Sequence, residues 1–84
     1  MELVFVYVLA NEKNQERYVG ISKNPEQRLR QHNNGTSRYT KAFMPWKIVH
    51  LEETADYTTA RKRERYLKSA AGRRFLNEKL NSPE

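Results

Sequence analysis

The side chains with the clearest chemical meaning lie far apart in the chain. Glu64 stands within ARKRERYLK, flanked by Arg61, Lys62, Arg63, Arg65 and Lys68, with Arg73 and Arg74 extending the basic run. On a helical period it shares a stripe with Tyr57, Ala60, Leu67 and Ala71, positions suited to burial. Two readings fit it. In one, Glu64 pairs with Lys68 at i,i+4 on the edge of the stripe, worth roughly 0.2–0.5 kcal/mol. In the other it is an inward carboxylate, whose desolvation needs a strong compensating partner such as a divalent metal. Magnesium takes one or two protein carboxylates and completes its octahedron with waters and substrate phosphates, so a single inward Glu among cations suits it.

Arg28 and His32 form a second group. They are four residues apart in PEQRLRQHN, a segment whose one large apolar residue is Leu29. At helical spacing both project from one face, and a helix this polar points to that exposed face as a working surface. Tyr7 and Tyr18, taken singly, read as strand aromatics whose hydroxyls reach water. His32 alone reads as a surface helix residue. His50, with Trp46 and Ile48 on its face of a strand, reads as structural. Tyr39 could stack on a base, whereas Trp46 in so small a protein reads as packing.

These groups need a scaffold, and the elements follow in order. Leu3 to Leu9 (LVFVYVL) is an apolar, β-branched run expected to form a central strand covered on both faces. Asn11 to Gln15 is a turn-prone link, and Arg17 to Ile21 returns as the second strand of a hairpin. Asn24 caps and Pro25 opens a helix that runs to about Asn34 and stops at Gly35. Gly35 to Pro45 (GTSRYTKAFMP) reads as a basic, aromatic loop. Trp46 to Glu52 is a third strand. Asp56 caps a long helix from Tyr57 to about Ala71, with Gly72 as its stop, and Arg73 to Leu80 forms a last helical segment packing Phe75, Leu76 and Leu80, before a polar tail. The order strand, strand, helix, strand, helix, helix predicts an α+β fold with helices flanking a three-stranded sheet.

Bulk properties bound the function. The chain has 84 residues, a net charge of +6 and no cysteine. That length predicts a single domain over residues 1–84, one that buries about 60–65% of its unfolded surface. The lack of cysteine excludes disulfide staples, thiolate zinc sites and cysteine nucleophiles, and suits a cytoplasmic location. No apolar run approaches a membrane span, and the amino end lacks a signal-peptide layout. The basic balance favours polyanionic partners, because neutralising phosphates releases condensed counterions. Lys23, Arg38, Tyr39, Lys41, Arg61 and Lys68 are the candidate nucleic-acid contacts.

Taken together, Tyr7, Tyr18, Arg28, His32 and Glu64 resemble the GIY-YIG nuclease family over nearly the whole chain, from Phe5 to about Lys68. The first motif of that family matches Phe5-Val6-Tyr7 and the second Tyr18-Val19-Gly20, with ten residues between the two tyrosines. The family's helical arginine and its His-or-Tyr position, ten and fourteen residues beyond the second tyrosine, fall on Arg28 and His32, and its glutamate falls on Glu64. The short length and SRYTKAFMPWKIVHLEE look most like the small stand-alone bacterial branch. Departures are Phe5 and Val6 in place of Gly and Ile, and Ile21 where some relatives carry lysine. Asn77 lies where some members have a further polar residue.

The resemblance implies a three-stranded antiparallel sheet and hydrolysis of DNA phosphodiesters with one Mg²⁺ or Mn²⁺ held by Glu64. It implies that Arg28 offsets phosphate charge and that Tyr7 or Tyr18 acts as general base, with its phenol pKa lowered by nearby cations and with assistance from His32. It further implies a structure-selective or weakly specific endonuclease, by analogy in DNA repair or recombination. With no appended DNA-binding domain expected, such a chain binds DNA weakly, dimerises or uses a protein partner. The alternatives are a non-catalytic nucleic-acid binding module with the same fold, and a protein-interaction module whose charge serves solubility.

Overall fold

The computed structural model describes residues 3–11 and 16–81. The hairpin link expected over 11–15 falls largely outside the described residues, as does the tail beyond 81. Three strands, β1 (Val4–Ala10), β2 (Arg17–Ser22) and β3 (Lys47–Thr54), form an antiparallel sheet of order β2-β1-β3. The most apolar strand is therefore the central one, as LVFVYVL requires. Alternation along β1 gives the sheet two different faces. Val4, Val6 and Val8 join Val19 on one face and pack against Ala60, Leu67 and Leu76. Tyr7 and Leu9 face the other way and pack with Trp46, Leu29 and Phe43.

Helix α1 (Pro25–Asn33) covers the aromatic face. Asn24 Oδ1 accepts from the Gln27 amide at 3.1 Å, and Ser22 Oγ in turn accepts from the Asn24 amide at 2.9 Å. The helix ends at Gly35, φ +78°, with Gly35 N–H donating to the His32 carbonyl and Thr36 N–H to the Gln31 carbonyl. This double closure needs a left-handed residue and is the reason glycine stands there. The segment read as a loop contains a four-residue helix, α2 (Arg38–Lys41). It is held by Trp46, whose indole N–H donates to the Thr40 carbonyl at 2.7 Å. Asn33 brackets the Trp46 backbone, accepting from its amide at 2.6 Å and donating to its carbonyl at 3.0 Å.

The valine face is covered by α3 (Tyr57–Lys68) and α4 (Ala70–Asn81). Asp56 caps α3, accepting from the Thr59 amide at 2.8 Å. Ala60 and Leu67 are buried as expected, whereas Tyr57 and Ala71 are exposed. The break between the helices falls at Ser69, not Gly72. Ser69 turns extended and its hydroxyl accepts from the Gly72 amide at 3.2 Å, so it starts α4 by capping it. Gly72 lies inside the first turn of α4, where any Cβ would overlap the Tyr66 carbonyl. Glycine serves close helix approach there, and the expected stop signal was a packing signal. Phe75, Leu76 and Leu80 do face the core.

His50 differs from expectation too. Its register partner is Val8, while Ile48 pairs with Leu9, so the ladder shifts between them and Val49 is the extra residue of a bulge. The bulge puts His50 on the valine face, away from Trp46 and Ile48. There it donates to Glu52 Oε2 at 2.7 Å and lies 5.9 Å from the Phe75 ring. Arg63 of α3 grips the same carboxylate with two bonds, of 2.7 and 3.0 Å. Burial alone would raise the Glu52 carboxyl, but the bonds from Arg63 and His50 outweigh it and hold it below the usual carboxylate range. The role of His50 is structural, tying β3 to the helical layer.

Candidate active site

Tyr7 is the centre of the arrangement. It is 0% exposed, and its register partner on β2 is Gly20. A Cβ at Gly20 would come within 2.5 Å of the Tyr7 hydroxyl, so the phenol lies flat across a position that only glycine leaves open. Two residues along β2, Tyr18 projects from the same face, its ring 6.3 Å from Tyr7 and 4.7 Å from His32. The strand pleat thus brings both tyrosines of the sequence motifs to one side of the sheet.

α1 supplies Arg28 and His32 to that side. His32 is 3% exposed, so the pair is not a surface face as expected; the imidazole is turned under the helix into the aromatic layer. Its Nε2 lies 3.3 Å from the Tyr7 hydroxyl and its Nδ1 2.9 Å from Thr40 Oγ1. The Thr40 hydroxyl donates to the Ser37 carbonyl at 3.4 Å, which leaves its oxygen to accept from His32 Nδ1–H. Nε2 is then the bare nitrogen, and the Tyr7 hydroxyl donates to it. Burial, followed by the charge of Arg28, holds the imidazole below its ordinary range and keeps it neutral at pH 7. The result is an oriented chain from Tyr7 through His32 to Thr40 and the backbone.

Thr40 is the member of this hydrogen-bonded cluster that the sequence reading missed. It is 0% exposed and sits in TSRYTKAFMP, where no periodicity marks an inward side chain. A threonine eight residues beyond a helical histidine was the only signal, and it has no meaning until α2 is known.

Arg28 is exposed, and its guanidinium lies within hydrogen-bonding reach of the Tyr7 and Tyr18 phenols while donating to Gln31 Oε1 at 3.0 Å. The expected lowering of the phenol pKa does not occur at Tyr7. Burial pushes it above 10, the Arg28 hydrogen bond and charge offset part of that, and Tyr18 and Glu64 push it further up. The charge of Glu64 is thereby felt at Tyr7. The Glu64 side chain is 19% exposed, and Lys68 Nζ lies 3.1 Å from Oε2. The i,i+4 pair with Lys68 is therefore present, on a side chain that is mostly but not fully buried.

Among the described residues no three His, Cys, Asp or Glu side chains are grouped so as to hold a metal ion. An all-protein cage is absent there. One reachable, hard carboxylate oxygen does fit a hydrated Mg²⁺ or Mn²⁺ that takes its remaining oxygens from water and a phosphate. Of the candidate nucleic-acid contacts, Tyr39 and Lys68 border the same cleft as Tyr18, with the Tyr39 ring 6.5 Å from that of Tyr18. Lys23 stands 5.8 Å over the Tyr57 ring, and Arg38, Lys41 and Arg61 are exposed on α2 and α3. Among the described residues no helix is long and apolar enough to cross a membrane.

The sequence profile of the GIY-YIG catalytic domain matches residues 3–81. The chain is 34% identical over 82 residues to a UPF0213 protein of Syntrophus aciditrophicus (strain SB), covering 95% of this chain and 93% of the relative. It is 37% identical over 65 residues to a UPF0213 protein of Clostridium perfringens (strain 13 / Type A), covering 76% of this chain and 69% of the relative. No solved structure matches it significantly.

Proposed function

The chain belongs to the GIY-YIG catalytic domain family, and from that premise we propose that it is a metal-dependent endonuclease that hydrolyses DNA phosphodiesters at the Tyr7 cluster. The observation that supports this best is the oriented hydrogen-bond chain from Tyr7 to His32 to Thr40. A phenol whose pKa is raised by burial does not lose its proton to solvent at pH 7. It can pass that proton to His32 Nε2 while taking another from water.

A water oxygen attacks phosphorus, its proton moves to the Tyr7 oxygen, and the Tyr7 proton moves to His32 Nε2. His32 becomes an imidazolium that still donates Nδ1–H to Thr40. The bond to the leaving oxygen breaks with its electron pair, and that oxygen takes a proton from solvent. Because Tyr7 has no exposure in the free chain, substrate binding must open a path to the phenol, and a phosphate in the cleft would draw the exposed Arg28 guanidinium toward itself. Arg28 then offsets the charge that develops on the phosphate oxygens. A bound Mg²⁺ or Mn²⁺ supplies Lewis-acid charge at the phosphate, and Glu64 would hold it. Tyr7 is the general base in this scheme, and Tyr18 packs on His32 and borders the substrate cleft.

Activity is structure-selective, with a role in DNA repair or recombination by analogy. Purified protein incubated with plain, nicked and branched DNA and Mg²⁺ or Mn²⁺ tests the reading. Cleavage should stop in chelator and fall by about 10³-fold or more in Glu64→Ala with DNA binding retained. Full-rate cutting by that variant would refute the metal role. Salt-sensitive binding without cutting on any substrate would instead assign a non-catalytic binding module.

A further inference from the structure

β2 is an edge strand, and its free edge is not bare. A cleft of ≈ 410 Å³ runs along it, between Tyr39 of α2 on one side and Lys68, Arg73 and Leu76 of the α3–α4 corner on the other, with Arg17, Tyr18 and Val19 between them. It opens into a second cleft of ≈ 930 Å³ whose walls share Arg17, Tyr39 and Arg73 and extend to Asn77. The two form one groove that starts at Tyr18, beside the Tyr7 cluster, and leads away from it.

We propose that this groove binds an unpaired DNA strand, placing a single-stranded nucleotide next to the phosphate that is cut. The assignment deepens the nuclease reading and depends on it only for where the cut falls. At ≈ 410 Å³ the cleft has room for one base with its sugar. The chemistry of the walls suits such a guest. Tyr39 is 48% exposed and offers a ring face for stacking, and its hydroxyl, donating to Glu16 at 3.0 Å, holds the ring in place. Leu67 and Leu76 lie directly beneath the cleft as part of the core, each 1% exposed. Cations lie at both ends for the phosphates that flank the base. Lys68 stands at the catalytic end, and Arg17 spans the cleft, donating to Asn77 at 2.8 Å. Arg73, exposed on the first turn of α4, makes no side-chain hydrogen bond or ion pair with any described residue. This combination of stacking ring and flanking cations is how strands are held without sequence readout.

The test measures binding to a labelled oligothymidylate of roughly ten nucleotides and to a hairpin duplex of similar charge, in chelator at fixed salt. Tyr39→Ala and Arg73→Ala should each weaken the single strand by about tenfold and the duplex by about twofold or less, and Tyr39→Phe should keep single-strand affinity because the ring remains. Methyl resonances of Leu67 and Leu76 should shift on titration with the single strand. Equal losses on both forms of DNA, or shifts that leave these methyls unmoved, would overturn the groove. Selective single-strand binding without cleavage of any substrate would leave the groove standing and sink the nuclease reading. Cleavage with no such selectivity would do the reverse.

Discussion

Replacing Thr40 by valine removes one hydroxyl from the Tyr7 chain while keeping the shape of the side chain. In the native structure that hydroxyl accepts from His32 Nδ1–H at 2.9 Å and donates weakly to the Ser37 carbonyl at 3.4 Å. The carbonyl is also taken by the Lys41 amide at 2.9 Å, so it stays satisfied. The cost falls on His32, which would hold a buried N–H with no acceptor, worth about 1–3 kcal/mol. The imidazole has an escape: its proton moves to Nε2, where the Tyr7 oxygen can accept it. The stability loss therefore falls at the low end, about 1 kcal/mol. Catalysis has no such escape, because Nε2 is then already protonated and cannot take the proton of Tyr7. Thr40→Val should lose about 10²-fold or more in single-turnover cleavage, the scale of a general base.

Three readouts separate this from a folding defect. Urea denaturation should show the small stability loss. Imidazole ¹⁵N spectra should show the proton on Nδ1 in the native chain and on Nε2 in the variant. Thr40→Ser should restore the rate while losing about 1 kcal/mol for the missing methyl. Cleavage by Thr40→Val at the native rate, or a native spectrum with Nε2 protonated, would refute the reasoning.

Two further predictions rest on the same cluster. Gly20→Ala places a Cβ 2.6 Å from Tyr7 Cζ and 3.0 Å from Tyr18 Cε1, so the phenol must tilt off His32; cleavage should fall by about 10²-fold with a stability loss of about 1–3 kcal/mol, and a native rate in a folded variant would show that the Tyr7 position is not critical. Because burial and then the Arg28 charge hold His32 below 6.5, the unfolded chain binds a proton below that pH that the folded chain refuses. Stability is then full above 6.5 and falls as pH drops through the window beneath it, before the carboxylates titrate. Denaturation midpoints across that window should fall in the native chain and flatten in His32→Gln, whereas cleavage by the folded chain should hold through it and decline only at lower pH, where Nε2 itself gains a proton.

The sheet and the first helix were legible because each has a local cause. LVFVYVL has the composition of a covered central strand, and Asn24-Pro25 with Gly35 marks both ends of α1. The tyrosines, Arg28, His32 and Glu64 were legible as a set only through the resemblance to the motifs of the GIY-YIG family; taken singly, Tyr7, Tyr18 and His32 read as packing or surface residues. What was not legible depends on contacts distant in sequence. The bulge at Val49 leaves no mark on the alternation of β3, yet it decides which layer receives His50. α2 exists because Trp46 bonds the Thr40 carbonyl, and a four-residue helix has too few positions to show a period. Gly72 looked like a stop because glycine is common there, but the Ser69 hydroxyl makes the break. The direction of the Tyr7 shift was a contest between cations, visible in the sequence, and burial, which is a property of the fold.

The two faces of β1 explain how so small a chain can bury a polar cluster. Its valine face carries the apolar packing against α3 and α4, which frees the opposite face from being purely apolar. Tyr7, His32 and Thr40 are buried there without penalty because each polar atom has a partner, and among the described residues no buried side-chain nitrogen or oxygen lacks one. The same bonds that satisfy burial fix the tautomer of His32 and the direction in which Tyr7 gives up its proton. Core and proposed catalytic cluster are therefore one structure on that face, and packing separates from proton transfer only under substitutions that keep shape and remove a single hydrogen-bonding atom. This is why Thr40→Val, more than any truncation at the site, discriminates a proton relay from a packing role.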